Sequence, residues 1–199
     1  MVPVTYIEAG VRDQIRDGAR RSAEVLASYL VEVLGLSGRM LDVGCGEGFL
    51  VAEFRSRGFE AHGVDGDDLP GVDEVRDLTR PLGITGFDVA VCLEVGEHLP
   101  DSAAETLVDS LCAAAPIVVF SAAIPGQRGP GHINEQWPAY WVEKFGRRGL
   151  VGSGALRWPI WNDERVEPWY RQNLLVFGSE LPDDGCPSVV HPDVWGWSR

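Results

Sequence analysis

Apolar and polar positions follow two different spacings along the chain. Residues 11–35 carry apolar side chains at intervals of three and four, with arginines and acids between them, which predicts an amphipathic helix that ends at Gly35. Short apolar runs then stop at glycines or acids, and these runs are RMLDVG, EAHGVD, FDVAVCL and PIVVFSAA. Runs with few polar positions are typical of strands that are buried on both faces of a sheet.

Helical patterns separate these predicted strands. FLVAEFRSRG predicts a helix closed by Gly58, DSAAETLVDSLCAA predicts a helix capped by Ser102 and Glu105, and QWPAYWVEKFGRRG predicts a third. ALRWPIW and NLLVFGS predict two closing strands. Because strands alternate with helices, the pattern predicts an α/β fold with a mainly parallel sheet and right-handed crossovers.

The chain divides into three predicted parts. Residues 1–37 form an N-terminal helical cap, residues 38–180 form the main α/β domain, and residues 181–199 form an irregular tail rich in turn formers. No Pro/Gly/Ser linker separates the parts. All seven tryptophans lie after residue 136, so the two ends of the chain differ in composition.

Composition and charge exclude several classes of function. The 199 residues are 45% hydrophobic and 24% charged, as in ordinary globular domains. With 17 basic and 30 acidic residues the net charge is -13, which opposes binding to nucleic acid or to an anionic membrane. No apolar run approaches the ~20 residues of a spanning helix, and no secretory signal is evident. The four cysteines form no CxxC pair, which predicts free thiols and a cytoplasmic location.

The first chemical motif is the glycine-rich turn LDVGCGEG at residues 41–48, between a predicted strand and a predicted helix. Its glycines let the backbone approach a ligand, and the helix start offers free N–H groups. The pattern is GxGxG, not the dinucleotide pattern GxGxxG, because Phe49 stands where the last glycine would be. Glu47 would repel a pyrophosphate. The turn therefore favours a ligand without phosphate and with positive charge, the alternative being a connecting turn without a ligand.

The second motif is an acid at the end of the next strand. Asp65 closes the run EAHGVD and stands 21 positions after Gly44. In nucleoside-binding α/β sheets an acid at this point accepts hydrogen bonds from ribose hydroxyls. Asp67 and Asp68 follow it and are interpreted as solvated turn acids.

Taken together, LDVGCGEG, Asp65 and FDVAVCLEVGEHLP resemble the class I S-adenosylmethionine-dependent methyltransferases. Within that superfamily the chain is similar to the small-molecule type 11/type 23 group, over residues 38–150 and, by sheet order, to about residue 178. The resemblance implies a Rossmann-like seven-stranded sheet of order 3-2-1-4-5-7-6 with an antiparallel last strand and helices on both faces. Residues 38–180 would then be the S-adenosylmethionine-binding domain.

The resemblance also implies which residues hold S-adenosylmethionine. The glycine loop should line its amino-acid end, Asp65 should hold the ribose, and Glu94 should lie beside its methionine part. An acid after the third strand should face the adenine amino group, and there Asp73 competes with Asp77. The implied cofactor-binding residues are Asp42, Gly44, Cys45, Gly46, Gly48, Asp65, Gly66, Asp77, Leu78 and Glu94.

Two histidines are candidates for the catalytic base. His98 follows the fourth strand in the pair Glu97-His98, and His132 lies in a glycine- and proline-framed loop after the fifth strand. Ligands of α/β folds bind at that edge of the sheet, and imidazole titrates near neutral pH. His132 is the leading candidate and His98 the second, while a structural role is the alternative for each.

The same loop and the helix after it supply candidate acceptor-binding residues, which are Asn134, Trp137 and Trp141. The two indoles either stack on the acceptor or are buried. His132, Glu135, His98 and Glu94 could face one cleft, but these residues form no HxxxH or DxD ligand motif. The sequence therefore predicts no metal.

The predicted function is methyl transfer from S-adenosylmethionine to an oxygen or nitrogen atom of a small-molecule or glycan-like acceptor. The reaction is an in-line displacement at the sulfonium methyl, in which the protein mainly supplies proximity and alignment. Two alternatives stay open. One is a catalytically silent cofactor-binding interaction protein, and the other, disfavoured by GxGxG, is a nicotinamide-dependent oxidoreductase.

Overall fold

The computed structural model describes residues 9–195, and the side chains from residue 14 onwards. The strands in this range are β1 Arg39–Val43, β2 Glu60–Asp65, β3 Glu74–Val75, β4 Val89–Leu93, β5 Ile117–Ser121, β6 Val151–Ser153 and β7 Leu175–Gly178. The helices are α1 Ala9–Leu34, α2 Phe49–Ser56, α3 Ala104–Ala114, α4 Pro138–Gly146, α5 Arg157–Ile160, α6 Pro168–Asn173 and α7 Pro192–Trp195.

The seven strands form one sheet of order β3-β2-β1-β4-β5-β7-β6. Pairing is parallel from β3 to β5, and β7 runs antiparallel to both of its neighbours, β5 and β6. This confirms the predicted sheet. The carboxyl ends of the parallel strands lie at one edge, so the segments that follow β1, β2, β4 and β5 meet there.

Helices cover both faces of the sheet, and each face has its own apolar cluster. On one face α1, α2 and α5 pack, with buried side chains such as Leu30, Phe54 and Ile160. On the other face α3 and α4 pack, with buried side chains such as Leu107 and Phe145. Central strands such as β4, whose first four residues are all buried, contact both layers, as their apolar runs predict.

Helix α1 is part of the main core. It ends at Leu34, and Gly35 follows with a φ of 60°, the left-handed conformation expected of a glycine after a helix. Leu26, Ala27 and Leu30 are buried in the same apolar cluster as strand residues of β1 and β4. Residues 1–8 of the predicted cap lie outside the described residues, and the division at residue 37 stays a prediction.

The prediction of a strand at ALRWPIW is wrong. Strand β6 lies just before it, and residues 157–160 form the short helix α5. The fully buried guanidinium of Arg157 donates from Nε to the carbonyl of Gly154 at 3.2 Å and from Nη1 to the carbonyl of Pro187 at 3.0 Å, which fixes this turn. Periodicity alone does not separate a short buried strand from a buried helical turn.

The predicted capping box at Ser102 and Glu105 is also wrong. Ser102 lies inside a 3-10 turn, and α3 begins only at Ala104, without a side-chain cap. The carboxylate of Glu105 instead bridges to α4, where it accepts a hydrogen bond from Lys144 at 2.9 Å and pairs with Arg148 at 2.8 Å. These partners come from a helix that local sequence spacing does not reveal.

The C-terminal segment packs against the domain even though its backbone is irregular between residues 181 and 191. Cys186 and His191 are buried, and the His191 N–H donates to Gln172 Oε1 at 2.8 Å. Arg171 pairs with Asp193 of α7 at 2.9 Å. Residues 196–199 lie outside the described residues.

Length and polarity rule out a membrane-crossing helix in the part of the chain that the structure describes.

We expect Leu30→Ala to lower the free energy of unfolding by about 2–5 kcal/mol, because Leu30 is fully buried and the change leaves a cavity between α1 and the sheet. Val33→Ala on the same helix is the control, since Val33 is 52% exposed and its loss should change the free energy by less than about 0.5 kcal/mol. Urea unfolding followed by circular dichroism measures both. Equal effects for the two variants would contradict the packing of α1 in the core.

Candidate active site

Two adjoining clefts open at the carboxyl edge of the sheet. The glycine-loop cleft, about 680 Å³, is lined by Asp42, the loop 44–47 and the start of α2. The histidine cleft, about 610 Å³, is lined by Glu94, the segment 97–98 and the loop 127–132. Residues that line both clefts are Ile15, Ala19 and Tyr170. Tyr170 and the inner face of α1 therefore form the boundary between them.

The glycines of the loop serve two different purposes. Gly44, Gly46 and Gly48 have φ values of 78°, 53° and 72°. A Cβ on Gly44 would lie 2.2 Å from Val95 Cγ2, and one on Gly48 would lie 2.7 Å from the carbonyl oxygen of Gly71, so both are required for packing. A Cβ on Gly46 would meet nothing within 4 Å. Because Gly46 lines the cleft, its missing side chain leaves room for a ligand.

Asp65 ties the glycine loop to the end of β2. Its Oδ2 accepts a hydrogen bond from the Gly46 N–H at 2.8 Å, and its Oδ1 accepts one from the Asp67 N–H at 3.0 Å. The carboxylate is partly buried, and Gly66 beside it is partly buried too. Asp67 is exposed, as its interpretation as a solvated acid implies, and it also lies at the glycine-loop cleft.

Asp42 is a buried carboxyl in the wall of the glycine-loop cleft. Burial, and then the charge of Asp65, raise the pKa of Asp42 to about 7. The carboxyl group of Asp42 therefore titrates near neutral pH, and a cationic ligand in the cleft would favour its charged form. Cys45 lines the same cleft, and burial raises the pKa of its thiol to about 12, so it stays protonated.

The residues predicted to face the adenine amino group do not line either cleft. Asp77 is exposed, and its Oδ1 accepts hydrogen bonds from the N–H and the hydroxyl of Thr79 at 3.0 and 2.6 Å. Leu78 is buried in the apolar core. Asp73, the competitor, accepts from Arg55 at 2.7 Å and from the Gly63 N–H at 2.8 Å. Each side chain is thus engaged with other groups of the protein, and a role for Asp77 and Leu78 in cofactor binding stays a prediction.

Glu94 lies at the floor of the histidine cleft rather than in the glycine-loop cleft. Its backbone has a φ of 55°, unusual for a residue other than glycine. Its carboxylate accepts hydrogen bonds from Asn173 at 3.1 Å and from Gln127 at 3.1 Å, while its N–H donates to the hydroxyl of Ser121 at 3.1 Å. Burial outweighs these bonds and raises the pKa of Glu94.

The two histidines face each other in the wall of this cleft. The rings of His98 and His132 meet edge to face, with centroids 4.9 Å apart. His132 Nδ1 lies 2.9 Å from Glu135 Oε1, and Glu135 also accepts the N–H groups of Gly126 and Arg128 at 2.8 and 2.6 Å. This pairing assigns the ring proton to Nδ1 and the lone pair to Nε2. Burial, and then His132, lower the pKa of His98, which favours the neutral form of its ring.

Glu97 is the least expected member of the site. It is fully buried and lines the histidine cleft, and among the described residues neither of its carboxylate oxygens makes a well-formed hydrogen bond. The main chain of Glu97 and Ala123 and the carboxyl of Glu94 lie close enough to influence its pKa. Burial, and then the carboxylate of Glu94, raise the pKa of Glu97 well above its usual range. Within the described residues, Glu97, His98 and His132 each place one ligand atom within 4.8 Å of the others, and this group could hold a metal ion.

The predicted acceptor-binding residues do not line either cleft. Asn134 is buried and turns inward, donating to the carbonyl of Gly96 at 3.4 Å. Trp141 is only 1% exposed, and a Cβ on Gly96 would lie 2.7 Å from its ring, so no ring face is left for stacking. Trp137 is 41% exposed but lines neither cleft. For Trp141 the buried alternative is the correct one, and the ring supports the turn that carries Glu97.

Several residues of the site were missed by sequence reasoning. Tyr170 and the amide side chain of Asn173 come from α6, a helix that was not predicted; its last residue, Asn173, was predicted as the start of the strand NLLVFGS. Gln127 links this helix to the cleft, because its Oε1 accepts from Asn173 at 3.0 Å and its Nε2 donates to Glu94. The signal in the sequence was the polar run YRQN, residues 170–173, to which no role was assigned. Its last three residues are buried in the structure.

Comparison with known proteins shows a family match over most of the chain. The methyltransferase domain family matches residues 15–158. A ubiquinone biosynthesis O-methyltransferase of Pseudomonas fluorescens is 32% identical over 91 residues, which cover 37% of this chain and 39% of that protein. The corresponding protein of Marinobacter nauticus is 34% identical over 95 residues, 38% of this chain and 40% of that protein. The match thus spans about two fifths of the length of these relatives.

Solved structures share the fold at low sequence identity. The magnesium protoporphyrin IX methyltransferase of Synechocystis with bound SAM has a TM-score of 0.62 and 19% identity, over 86% of this chain and 84% of that one. A Burkholderia thailandensis 1,6-didemethyltoxoflavin-N1-methyltransferase has a TM-score of 0.59 and 20% identity, over 84% and 80%.

The glycine loop, the strand-end Asp65 and the strand order agree with the family match over residues 15–158. The chain belongs to the methyltransferase domain family, within the class I S-adenosylmethionine-dependent methyltransferases.

Proposed function

We propose that the protein transfers a methyl group from S-adenosylmethionine to an oxygen or nitrogen atom of a small molecule. The observation that carries this proposal is the junction of the two clefts at Tyr170. A cofactor in the glycine-loop cleft and an acceptor in the histidine cleft would meet there. Such a junction supplies the proximity and alignment that an in-line displacement needs.

The charges of the glycine-loop cleft suit this cofactor. Asp42 lines it and the Asp65 carboxylate lies behind Gly46, so a sulfonium and an ammonium group would meet nearby carboxyl groups. Glu47 also lines the cleft, but it is paired with Arg16 at 2.8 Å. Leu50 and Leu69 add apolar walls for the adenine ring. In this arrangement Asp65 still has lone pairs for ribose hydroxyls, in addition to the two N–H groups that it binds.

The histidine cleft suits a small planar acceptor. Its volume of about 610 Å³ lies within the range of small-molecule sites. Trp169, Tyr170 and Pro130 give it flat apolar surfaces, while Glu94 and the two histidines give it polar groups. The names of the relatives, an O-methyltransferase and an N1-methyltransferase, support oxygen or nitrogen as the accepting atom.

His132 is the proposed base in this reaction. Glu135 binds its Nδ1, which leaves the Nε2 lone pair to take the proton that the acceptor releases on methylation. His98 is the second candidate, since its lowered pKa favours the neutral ring, which is able to accept a proton. The methyl group moves from sulfur to the acceptor atom, the products being S-adenosylhomocysteine and the methylated acceptor.

Calorimetry with S-adenosylhomocysteine tests the cofactor site. We expect binding in the micromolar range, about -7 to -8 kcal/mol. Asp65→Ala should weaken binding by about 1–3 kcal/mol, because ribose hydroxyls lose an acceptor and Gly46 loses its hydrogen bond. Asp68→Ala, an exposed acid three residues away, should leave affinity unchanged. Equal affinity in both variants would refute the role of Asp65, and binding of NADH in place of S-adenosylhomocysteine would favour an oxidoreductase.

Gly46→Val should abolish binding of S-adenosylhomocysteine, because the new side chain points into the open cleft. Gly58→Val is the matched control: Gly58 also has a positive φ, 87°, and open space around its Cβ position, but it lies at the end of α2, away from the cleft. Both variants place a β-branched residue at a positive φ, so both should lose thermal stability. Loss of binding in Gly46→Val alone supports the site, and normal binding in that variant places the ligand elsewhere.

Turnover is tested by measuring S-adenosylhomocysteine release with a panel of phenols, catechols and N–H heterocycles. With an acceptor that turns over, His132→Ala should lower the rate by about 10²–10⁴-fold while cofactor affinity stays nearly intact. The deficit should shrink as pH rises, since the acceptor then ionises unaided. The control is His62→Ala, which removes a half-exposed imidazole of β2. A fully active His132→Ala enzyme would transfer the base role to His98, and a panel without any turnover would favour a silent binding protein.

A further inference from the structure

Glu97 carries a buried carboxyl group in the wall of the histidine cleft. A buried, unpaired carboxylate is costly in its charged form, so Glu97 must keep a proton or bind a cation. Among the described residues its oxygens make no well-formed hydrogen bond, and Glu94 lies beside it, which makes a second negative charge still more costly. Trp141 and Gly96 pack tightly beneath this turn and hold the carboxyl in place.

Two imidazoles complete the environment of Glu97. Its oxygen and one ring nitrogen each of His98 and His132 lie within 4.8 Å of one another. Adjacent ligands around a cation at about 2.1 Å lie about 3 Å apart, so side-chain adjustments on the order of 1 Å would enclose an ion. We propose that Glu97, His98 and His132 bind a divalent first-row transition metal ion in the wall of the histidine cleft.

The surroundings of the histidines match those of metal ligands. A metal-bound imidazole commonly donates its other N–H to a carboxylate or a main-chain carbonyl. Glu135 receives this bond from His132 Nδ1 at 2.9 Å, which leaves Nε2 of His132 for an ion. The main chain of Gly131 lies beside His98 and acts to raise its pKa, as a nearby acceptor does. Nδ1 of His98 is the ring atom nearest to the position of a Cβ on Gly131, at 3.3 Å, so we infer that this ring also keeps Nε2 for an ion.

The donor set decides the kind of ion. Two imidazoles and one carboxylate suit Mn²⁺, Fe²⁺, Co²⁺ or Zn²⁺, whereas Mg²⁺ and Ca²⁺ prefer oxygen ligands throughout. Three protein ligands leave positions open toward the cleft, where an acceptor oxygen could bind the ion. The sequence prediction of no metal rested on the lack of an HxxxH or DxD pattern among the candidate ligands, but here the ligands come from two loops that follow different strands.

This proposal goes beyond methyl transfer and is independent of it, because ion binding is measured without cofactor or acceptor. The base role proposed for His132 belongs to the metal-free protein, since an ion would occupy the same lone pair. Failure to bind Co²⁺ with intact binding of S-adenosylhomocysteine would overturn the metal site alone. Loss of S-adenosylhomocysteine binding with intact Co²⁺ binding would overturn the proposed function alone.

The test uses the purified full chain, stripped with a chelator, dialysed and titrated with Co²⁺. We expect one equivalent to bind, with visible absorption bands of the coordinated ion. Proton NMR of the Co²⁺ form should show two strongly shifted, solvent-exchangeable signals, one from each imidazole Nδ1–H. No saturable binding, or saturable binding without shifted imidazole signals, would overturn the proposal.

Variants assign the ligands. His132→Ala should remove one shifted signal and weaken Co²⁺ binding at least tenfold, and Glu135→Gln should weaken it by about 10–100-fold through the imidazole that it orients. Glu97→Gln, which keeps the shape of the buried side chain, covers the case in which His132→Ala does not fold, and it too should weaken binding at least tenfold. His62→Ala is the matched control and should bind as the unchanged protein does. Equal affinity in the folded variants, or loss of binding in His62→Ala, would refute the site.

Discussion

The parallel pairing of β1 with β2 and with β4 is the constraint on which the site depends. In this register Val43 lies opposite Val64, and the ends of the central strands lie at one edge. The glycine loop after β1 can then reach Asp65 at the end of β2, and the hydrogen bond of 2.8 Å between Gly46 N–H and Asp65 fixes the loop. A register shift of one residue would turn every side chain to the other face and separate these groups.

This geometry brings several carboxylates together at the carboxyl edge of the sheet, in a protein whose net charge is already -13. Asp42, Glu94 and Glu97 all have raised pKa values, and burial is the largest cause for each. The three carboxyl groups differ in what surrounds them. Asp42 faces a cleft that suits a cationic ligand, Glu94 is held by amide donors, and Glu97 makes no well-formed hydrogen bond within the described residues. Burial of these carboxyl groups lowers the free energy of unfolding, and a bound cation would recover part of that loss.

The sequence was informative where local patterns determine structure. Apolar runs located the strands that cross the core, and Gly44, Gly46 and Asp65 marked the loop that the structure brings together. Prediction failed where contacts with residues distant in the sequence determine the local structure. Residues 157–160 of the predicted strand form a helix instead, where the Arg157 guanidinium binds a carbonyl of the C-terminal segment, 30 residues away. Trp141 became a core residue through the close approach of Gly96, which spacing along α4 does not reveal.

Helix α1 has a consequence for how the protein exchanges its ligands. Ile15 and Ala19 line both clefts, so the same two turns of helix form a common wall. The helix is held at its outer end by the ion pair between Arg16 and Glu47, whose side chains are partly exposed. An outward displacement of these turns would open both clefts together. One displacement of α1 would then allow both the entry of one ligand and the departure of the other. A molecule bound in either cleft, by holding the helix in place, would slow the exchange of ligands in both clefts.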